Sequence, residues 1–319
     1  MKIARFAHNG VTRVGVLVDD DAIRLLATDV SVFDLLAAAP SEREALVTRA
    51  AETLVRSDDA RWLAPIVPPS VRDFISFEEH IQGMVKPSGN PVKPEWYEGP
   101  SCYYANPAAV WGPFDDVPVP PGCEVFDFEL EVAAVIGTAG SNLTVAEAGA
   151  HIAAYTIFND WSARDIQRIE LTGIHGPVKA KDSTTTLGPM LVTADELEPF
   201  RKGDRLDLEL QVSLNGEPFG NDTLANLGYS FEQMLVYASR GTRLVTGDVI
   251  GSGTCGSGCL GEIWGRRGRQ EPPPLKPGDV VEMTVQGIGT IRNRVVAGLP
   301  AHPTGGAITP APYRRERSW

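Results

Sequence analysis

The chain reads as a β-rich mixed α/β protein in two unequal units, and three observations lead there. At 319 residues it exceeds a typical single domain, so one large core plus a smaller unit is expected. Its 32 glycines and 25 prolines imply many turns joining short strands. Its N-terminal apolar residues fall in short alternating runs, the period of a strand rather than of a helix.

Taken in order, residues 1–28 carry apolar runs at 3–6, 14–18 and 22–26, broken by Asn9-Gly10 and by Asp19-Asp20-Asp21. That pattern predicts a small β-meander. Ser31 opens an amphipathic helical stretch reaching about Leu54, interrupted at Pro40. Pro65, Pro68 and Pro69 read as a linker, which sets a small N-terminal unit at 1–69 and a larger unit at 70–319. Residues 73–84 read as a strand end running into a short helix or lid. A loop-rich passage over 87–121 carries Trp96, Tyr97, Tyr103, Tyr104 and Trp111. Thr144 and Glu147 form a capping-box pattern that starts a short helix. Strands are expected over 153–159, 206–214, 249–251 and 280–285, with a helix near 231–239. The Pro- and Gly-rich tail after Pro300, ending at Trp319, reads as peripheral or as a subunit contact.

Composition excludes several function classes. A net charge of −12 argues against a nucleic-acid binder and against docking on acidic membranes. An anionic substrate would then need a locally positive pocket, which a bound metal with nearby Lys and Arg would supply. The N-terminus lacks the apolar region of a signal peptide, and no window approaches a transmembrane helix. Cys102, Cys123, Cys255 and Cys259 are too sparse for a disulfide scaffold, and the Cys255/Cys259 spacing lacks the second half of a zinc site. A cytoplasmic location with reduced thiols is expected.

The most informative segment is Glu129-Leu130-Glu131, which enters the apolar run 132–136. Side chains two apart on a strand share a face, so Glu129 and Glu131 point the same way, with Ala133 and Val135 continuing that face. A solvated strand edge would account for a Glu-x-Glu alone. The buried-strand character of residues 132–136 favours two carboxylates entering an apolar face, where they need a cation or donors. A divalent metal is the candidate.

Four further pieces accompany this pair: Asp73 with His80; Asn159-Asp-Trp-Ser-Ala-Arg-Asp-Ile-Gln167; Lys179-Ala-Lys-Asp-Ser-Thr-Thr-Thr186; and Gly251-Ser-Gly-Thr254 followed by Glu262. In this order, over roughly residues 70–300, they resemble the fumarylacetoacetate hydrolase superfamily. The resemblance implies a mixed, heavily rolled β-structure with the active site at its mouth, and a homodimer. It implies metal ligation by Glu129, Glu131 and Asp160, oxygen donors suited to Mg²⁺, Mn²⁺ or Ca²⁺. Asp73 matches a fourth carboxylate of the larger members, with a turn or cap role as the alternative. His80 matches the catalytic histidine, and Glu262 matches the carboxylate that orients it, with Glu78 and Glu79 as competitors. Lys181 matches a lysine beside the reacting carbonyl, leaving Lys179 as its solvated neighbour. Arg164 and Gln167 match pocket residues, although Arg164 also suits a structural ion pair. Thr254 matches a substrate-contacting hydroxyl or serves the turn, and Thr185 a threonine near a second, structural cation.

The departures bear on substrate. Ile75 and Leu171 stand where larger members carry substrate-contacting tyrosines. An arginine expected about nine residues after His80 is replaced by Gly89-Asn90, with Lys86 and Lys93 nearby. The implied activity is metal-dependent cleavage of a carbon–carbon bond in a 1,3-dicarbonyl acid such as an acylpyruvate, rather than fumarylacetoacetate itself. Oxaloacetate-type decarboxylation, 2-oxo-alkenoate hydration or isomerisation, and an inactive paralogue that only holds an organic acid are the alternatives.

Overall fold

The computed structural model describes residues 1–19, 21–49, 53–173 and 176–305. The expectation for the tail falls largely beyond the described residues, and Asp20 of the acidic turn lies outside them as well.

The N-terminal meander forms as three antiparallel strands, Lys2–His8, Val11–Asp19 and Ala22–Leu25. Asn9 and Gly10 both take positive φ, 51° and 76°, as a two-residue hairpin turn requires. The helical stretch expected over 31–54 is instead two helices and a strand. Ser31 caps the Val32–Ala37 helix through a reciprocal capping box with Asp34. Pro40 then starts the Pro40–Thr48 helix rather than interrupting one, because a first-turn proline forfeits no helical hydrogen bond. Leu54–Arg56 pairs as a strand with Ala22–Leu25.

The meander does not form a sheet of its own. Strand Lys2–His8 pairs antiparallel with Thr185–Thr193, in register Ile3↔Leu191, and so extends the central sheet. From that junction the sheet runs through Thr185–Thr193, Ile152–Asp160, Leu130–Ile136, Val249–Gly251, Val71–Phe74 and Cys102–Ala105. All these neighbours are antiparallel except Val249–Gly251 with Val71–Phe74, so the sheet is mixed. A second, five-stranded sheet contains Glu209–Leu214, Glu217–Thr223, Val280–Val285 and Gly289–Val296. The strand expected over 206–214 is broken. Arg205–Leu206 pairs back on Arg201–Lys202, whereas Glu209–Leu214 joins the second sheet.

Every residue of Leu130–Ile136 is buried, because both faces of this strand are covered. Leu130, Val132, Ala134 and Ile136 face the large core shared with Leu210, Val212, Val281 and Met283. Ala133 and Val135 face a second core that includes Leu35 and Leu36 of the first helix. Glu131 stands at the end of that second face. The helices Phe231–Ser239 and Leu260–Arg267 complete the larger unit. No helix among the described residues is long and apolar enough to cross a membrane.

Candidate active site

Three strand ends bring the carboxylates together. Glu131 is the second residue of the Leu130–Ile136 strand, and Asp160 closes the neighbouring strand. Asp73 sits opposite Gly251, with Val249–Gly251 lying between its strand and that of Glu131. One oxygen each from Asp73, Glu131 and Asp160 lies within 4.8 Å of the others, all buried. The Gly251-Ser-Gly-Thr254 turn explains itself here. A Cβ on Gly251 would strike Asp73 Oδ1, and Gly253 takes φ +80° with its amide aimed into the cluster. That amide donates to Asp73 Oδ1 at 3.2 Å and to Glu131 Oε2 at 3.0 Å. Thr254 Oγ1 lies 3.4 Å from Glu131 Oε1.

The Gly253 amide and the Thr254 hydroxyl, with Tyr103 and the Lys181 ammonium at Asp160, do not offset the burial of three carboxylates. Burial, with mutual repulsion added, pushes Asp73 up to about 6 and Asp160 up to about 8, and holds Glu131 well above the carboxylate range. Asp160 Oδ1 is buried with no hydrogen-bond partner. A set of hard oxygens, one of them orphaned and all driven toward their neutral forms chiefly by burial, fits Mg²⁺ or Mn²⁺.

Glu129 is held by two cations. Its carboxylate meets Arg164 Nη2 at 2.6 Å and the Lys181 ammonium. Burial opposes its charge, but Arg164 and Lys181 outweigh burial and hold it well below the usual range. Lys181 joins the two groups of carboxylates, contacting Glu129 and Asp160 and donating to Ser162 Oγ at 2.6 Å. Burial works against its charge, yet Asp160 and Glu129 keep it protonated. In this arrangement its three protons are committed to carboxylates and a hydroxyl. Lys179 is exposed and pairs with Asp182.

The 159–167 string is legible residue by residue. Asn159 Oδ1 accepts from the Glu129 amide at 2.9 Å, fixing the backbone where it enters Glu129. Trp161 is fully buried, stacked on Phe126 with ring centroids 5.4 Å apart. Ser162 receives Lys181. Arg164 bridges Glu129 to Asp127 at 2.8 Å and holds Gln167 Oε1 at 3.0 Å, so it is both an ion pair and a cavity wall.

His80 lies on the helix Glu78–Val85, which crosses Leu260–Arg267 closely because Gly83 and Gly265 face each other. A Cβ on Gly265 would run into the Gly83 carbonyl, and one on Gly83 into the Glu262 side chain. The approach sets His80 Nδ1 3.2 Å from Glu262 Oε2. Glu262 is fully buried and also accepts from the Ser257 amide at 2.9 Å and from Arg266 Nε at 2.8 Å. Its competitors are occupied elsewhere: Glu78 with Gln82 and Tyr97, Glu79 with Arg266.

Asp73, His80, Glu129, Arg164, Gln167, Lys181 and Thr254 line one cavity of about 220 Å³. Glu131 and Asp160 lie beneath its floor. Thr185 is buried at the start of its strand, opposite Val110. A larger open groove of about 670 Å³ lies between the meander and the second sheet and shares none of these residues.

Three contributors escaped the sequence. Tyr103 donates its hydroxyl to Asp160 Oδ2, from a strand paired with that of Asp73. Asp127 is fully buried and accepts from Arg164 and from the Leu260 and Gly261 amides, both at 2.8 Å. It thereby ties the Glu262 helix to the Glu129 side of the cavity. Cys259 is buried with its sulfur 3.9 Å from His80 Nδ1. The Phe126-Asp-Phe alternation, which turns Asp127 to the same face as Glu129, was the available signal for Asp127. Tyr103 and Cys259 had none. The aromatic passage is pinned, not free: Trp96 Nε1 donates to the Ile75 carbonyl at 2.7 Å.

Comparison with known proteins agrees with this geometry. A family model described as Fumarylacetoacetate (FAA) hydrolase C-terminal matches residues 70–296, and one described as Rv2993c-like, N-terminal, matches residues 1–65. The chain is 31% identical over 261 residues to the mitochondrial oxaloacetate tautomerase FAHD2A of Bos taurus, covering 80% of this chain and 74% of that protein. Among solved structures, it matches 5-carboxymethyl-2-hydroxymuconate delta-isomerase from Mycobacterium smegmatis with a TM-score of 0.70 at 27% identity, over 93% of this chain and 100% of the other. Fumarylacetoacetate hydrolase from Exiguobacterium antarcticum matches with a TM-score of 0.71 at 27% identity, with the same coverage. The chain belongs to the fumarylacetoacetate hydrolase superfamily of enzymes.

Proposed function

We propose that this protein is a divalent-cation-dependent enzyme that hydrolyses the carbon–carbon bond of a 1,3-dicarbonyl acid of the acylpyruvate type. The observation that carries the reading is a buried His80–Glu262 pair at 3.2 Å, whose histidine lines the same cavity as Asp73 and Glu129. Asp73, Glu131 and Asp160, with Glu129 at their side, would hold Mg²⁺ or Mn²⁺. Bound there, such an ion supplies Lewis-acid stabilisation of negative charge on a 2-oxo acid.

The side chains divide the remaining work. Glu262 accepts the Nδ1 hydrogen of His80, leaving Nε2 as the basic nitrogen, and favours the imidazolium once a proton arrives. His80 takes that proton from water, whose oxygen adds to the acyl carbonyl. The carbon–carbon bond then breaks and its electron pair stays with the pyruvate fragment, whose carbon takes up the proton. Water is thus consumed, and a carboxylic acid and pyruvate are formed. Lys181 and Gln167 line the cavity where the oxyanion develops and are placed to donate to it, Lys181 on giving up one of its carboxylate partners.

A second reading, tautomerisation of a 2-oxo diacid, is favoured by the 31% identity to an oxaloacetate tautomerase. It would use the same base to move a proton between carbon and oxygen without adding water. Incubating the Mg²⁺-loaded enzyme with acetylpyruvate, fumarylpyruvate and oxaloacetate separates the two. Release of pyruvate with the matching acid supports hydrolysis. Keto–enol interconversion of oxaloacetate with no cleavage of any acylpyruvate supports the second reading, and neither activity in protein shown to bind Mg²⁺ overturns both.

A further inference from the structure

We infer that the acyl arm of the substrate is a short, uncharged aliphatic chain, received at the cavity mouth by Ile75, Ile81, Met84 and Leu171. The inference rests on the reading above that a 2-oxo acid head sits on the cavity floor. The cavity is graded from polar to apolar along its depth. On the floor, Asp73, Glu129 and Lys181 are 2%, 4% and 3% exposed. At the rim, Ile75 and Leu171 are 40% and 61% exposed yet still line the cavity. Ile81 and Met84, three apart on the helix that carries His80, share one face of it and lie between the two levels, half-buried.

Charge distribution points the same way. Among the described residues, the cations lining this cavity are Arg164 and Lys181. Both are spent on the floor, Arg164 on Asp127 and Glu129, Lys181 on Glu129 and Asp160. Lys86 and Lys93 do not line it. A second carboxylate on the acyl arm would be set against the apolar Ile75, Ile81, Met84 and Leu171 with no free cation among the described lining residues to receive it, in a protein already carrying −12. An alkyl arm instead gains up to about fourfold in affinity per buried methylene. The cavity, about 220 Å³, holds on the order of seven waters, so the arm is short.

The test compares three non-cleavable acids on the Mg²⁺-loaded enzyme by calorimetry: pyruvate, 2-oxohexanoate, and the equally long 2-oxoadipate. The expected order puts 2-oxohexanoate about tenfold or more tighter than both others. In a Leu171→Arg variant, at an exposed position that tolerates charge, the preference for 2-oxohexanoate over 2-oxoadipate narrows or inverts. If pyruvate binds but 2-oxoadipate binds as tightly as 2-oxohexanoate, or 2-oxohexanoate no tighter than pyruvate, this inference is overturned and the 2-oxo acid head stands. If none of the three binds, the head site fails and takes the inference with it.

Discussion

Replacing Glu262 with glutamine tests how the base is held. Glu262 Oε2 accepts from His80 Nδ1 and the Ser257 amide, and Oε1 accepts from Arg266 Nε at 2.8 Å. Glutamine offers one acceptor oxygen where glutamate offers two. With its carbonyl toward His80, its NH₂ group faces the Arg266 guanidinium, donor against donor. The loss is one charge-assisted hydrogen bond, about 1.5–3 kcal/mol, and the negative charge that stabilises an imidazolium. Expressed at the transition state, the same energy lowers kcat by about 10- to 150-fold. Glu262 does not line the cavity, so KM should stay within about threefold, provided chemistry is slow relative to substrate release. Steady-state kinetics on acetylpyruvate at saturating Mg²⁺, with thermal unfolding as a check on the fold, measures this. A folded Glu262→Gln protein with kcat within twofold of the parent would refute the positioning role.

Two further predictions concern the charge network. Arg164→Ala leaves the buried Asp127 without a cation and Glu129 with Lys181 alone, and should cost about 3–5 kcal/mol in denaturant unfolding, with Arg164→Lys recovering only part because one ammonium cannot span both carboxylates. The pH dependence of the metal-free protein is set by Asp73 raised to about 6, Asp160 raised to about 8 and Glu131 raised well above the carboxylate range. In the window from ordinary carboxylate values up to about 8 the folded state binds more protons than the unfolded state, so stability falls as pH rises. Thermal unfolding in chelator should therefore show Tm declining from about pH 6 to pH 8, and Mg²⁺ should offset the decline; a Tm that rises over that window in chelator contradicts the assignment.

Much of this site was visible in the amino-acid order because its chemistry is local. Glu129 and Glu131 share a face by strand period alone, and the 159–167 string packs a proposed ligand, a core tryptophan, a lysine partner and an ion-pair arginine into five positions. Ser31 and Thr144 announced their helices through reciprocal side-chain bonds. The hidden part depends on pairings distant in sequence. Tyr103 reaches Asp160 only because its strand lies beside that of Asp73. The engagement of Lys181 by two carboxylates is a consequence of packing that no spacing predicts. The N-terminal strand is hydrogen-bonded to residues 191–192, far beyond the reach of local pattern, so a proline-rich linker gave no hint that the meander extends the central sheet. Leu54 belongs to a strand rather than to a helix end, and a short apolar stretch near a helix carries no period that distinguishes the two.

The claim that everything else depends on is that Glu131, Asp160 and Asp73, with Glu129 beside them, hold one hard divalent ion. Calorimetric titration of Mn²⁺ into chelator-stripped protein tests it directly, run near pH 7 in two buffers of different ionisation enthalpy. One ion per chain should bind with net proton release, because the raised carboxylates must ionise to receive it, and Asp160→Asn should abolish the uptake. Binding without proton release, or uptake undiminished in Asp160→Asn, would contradict the account.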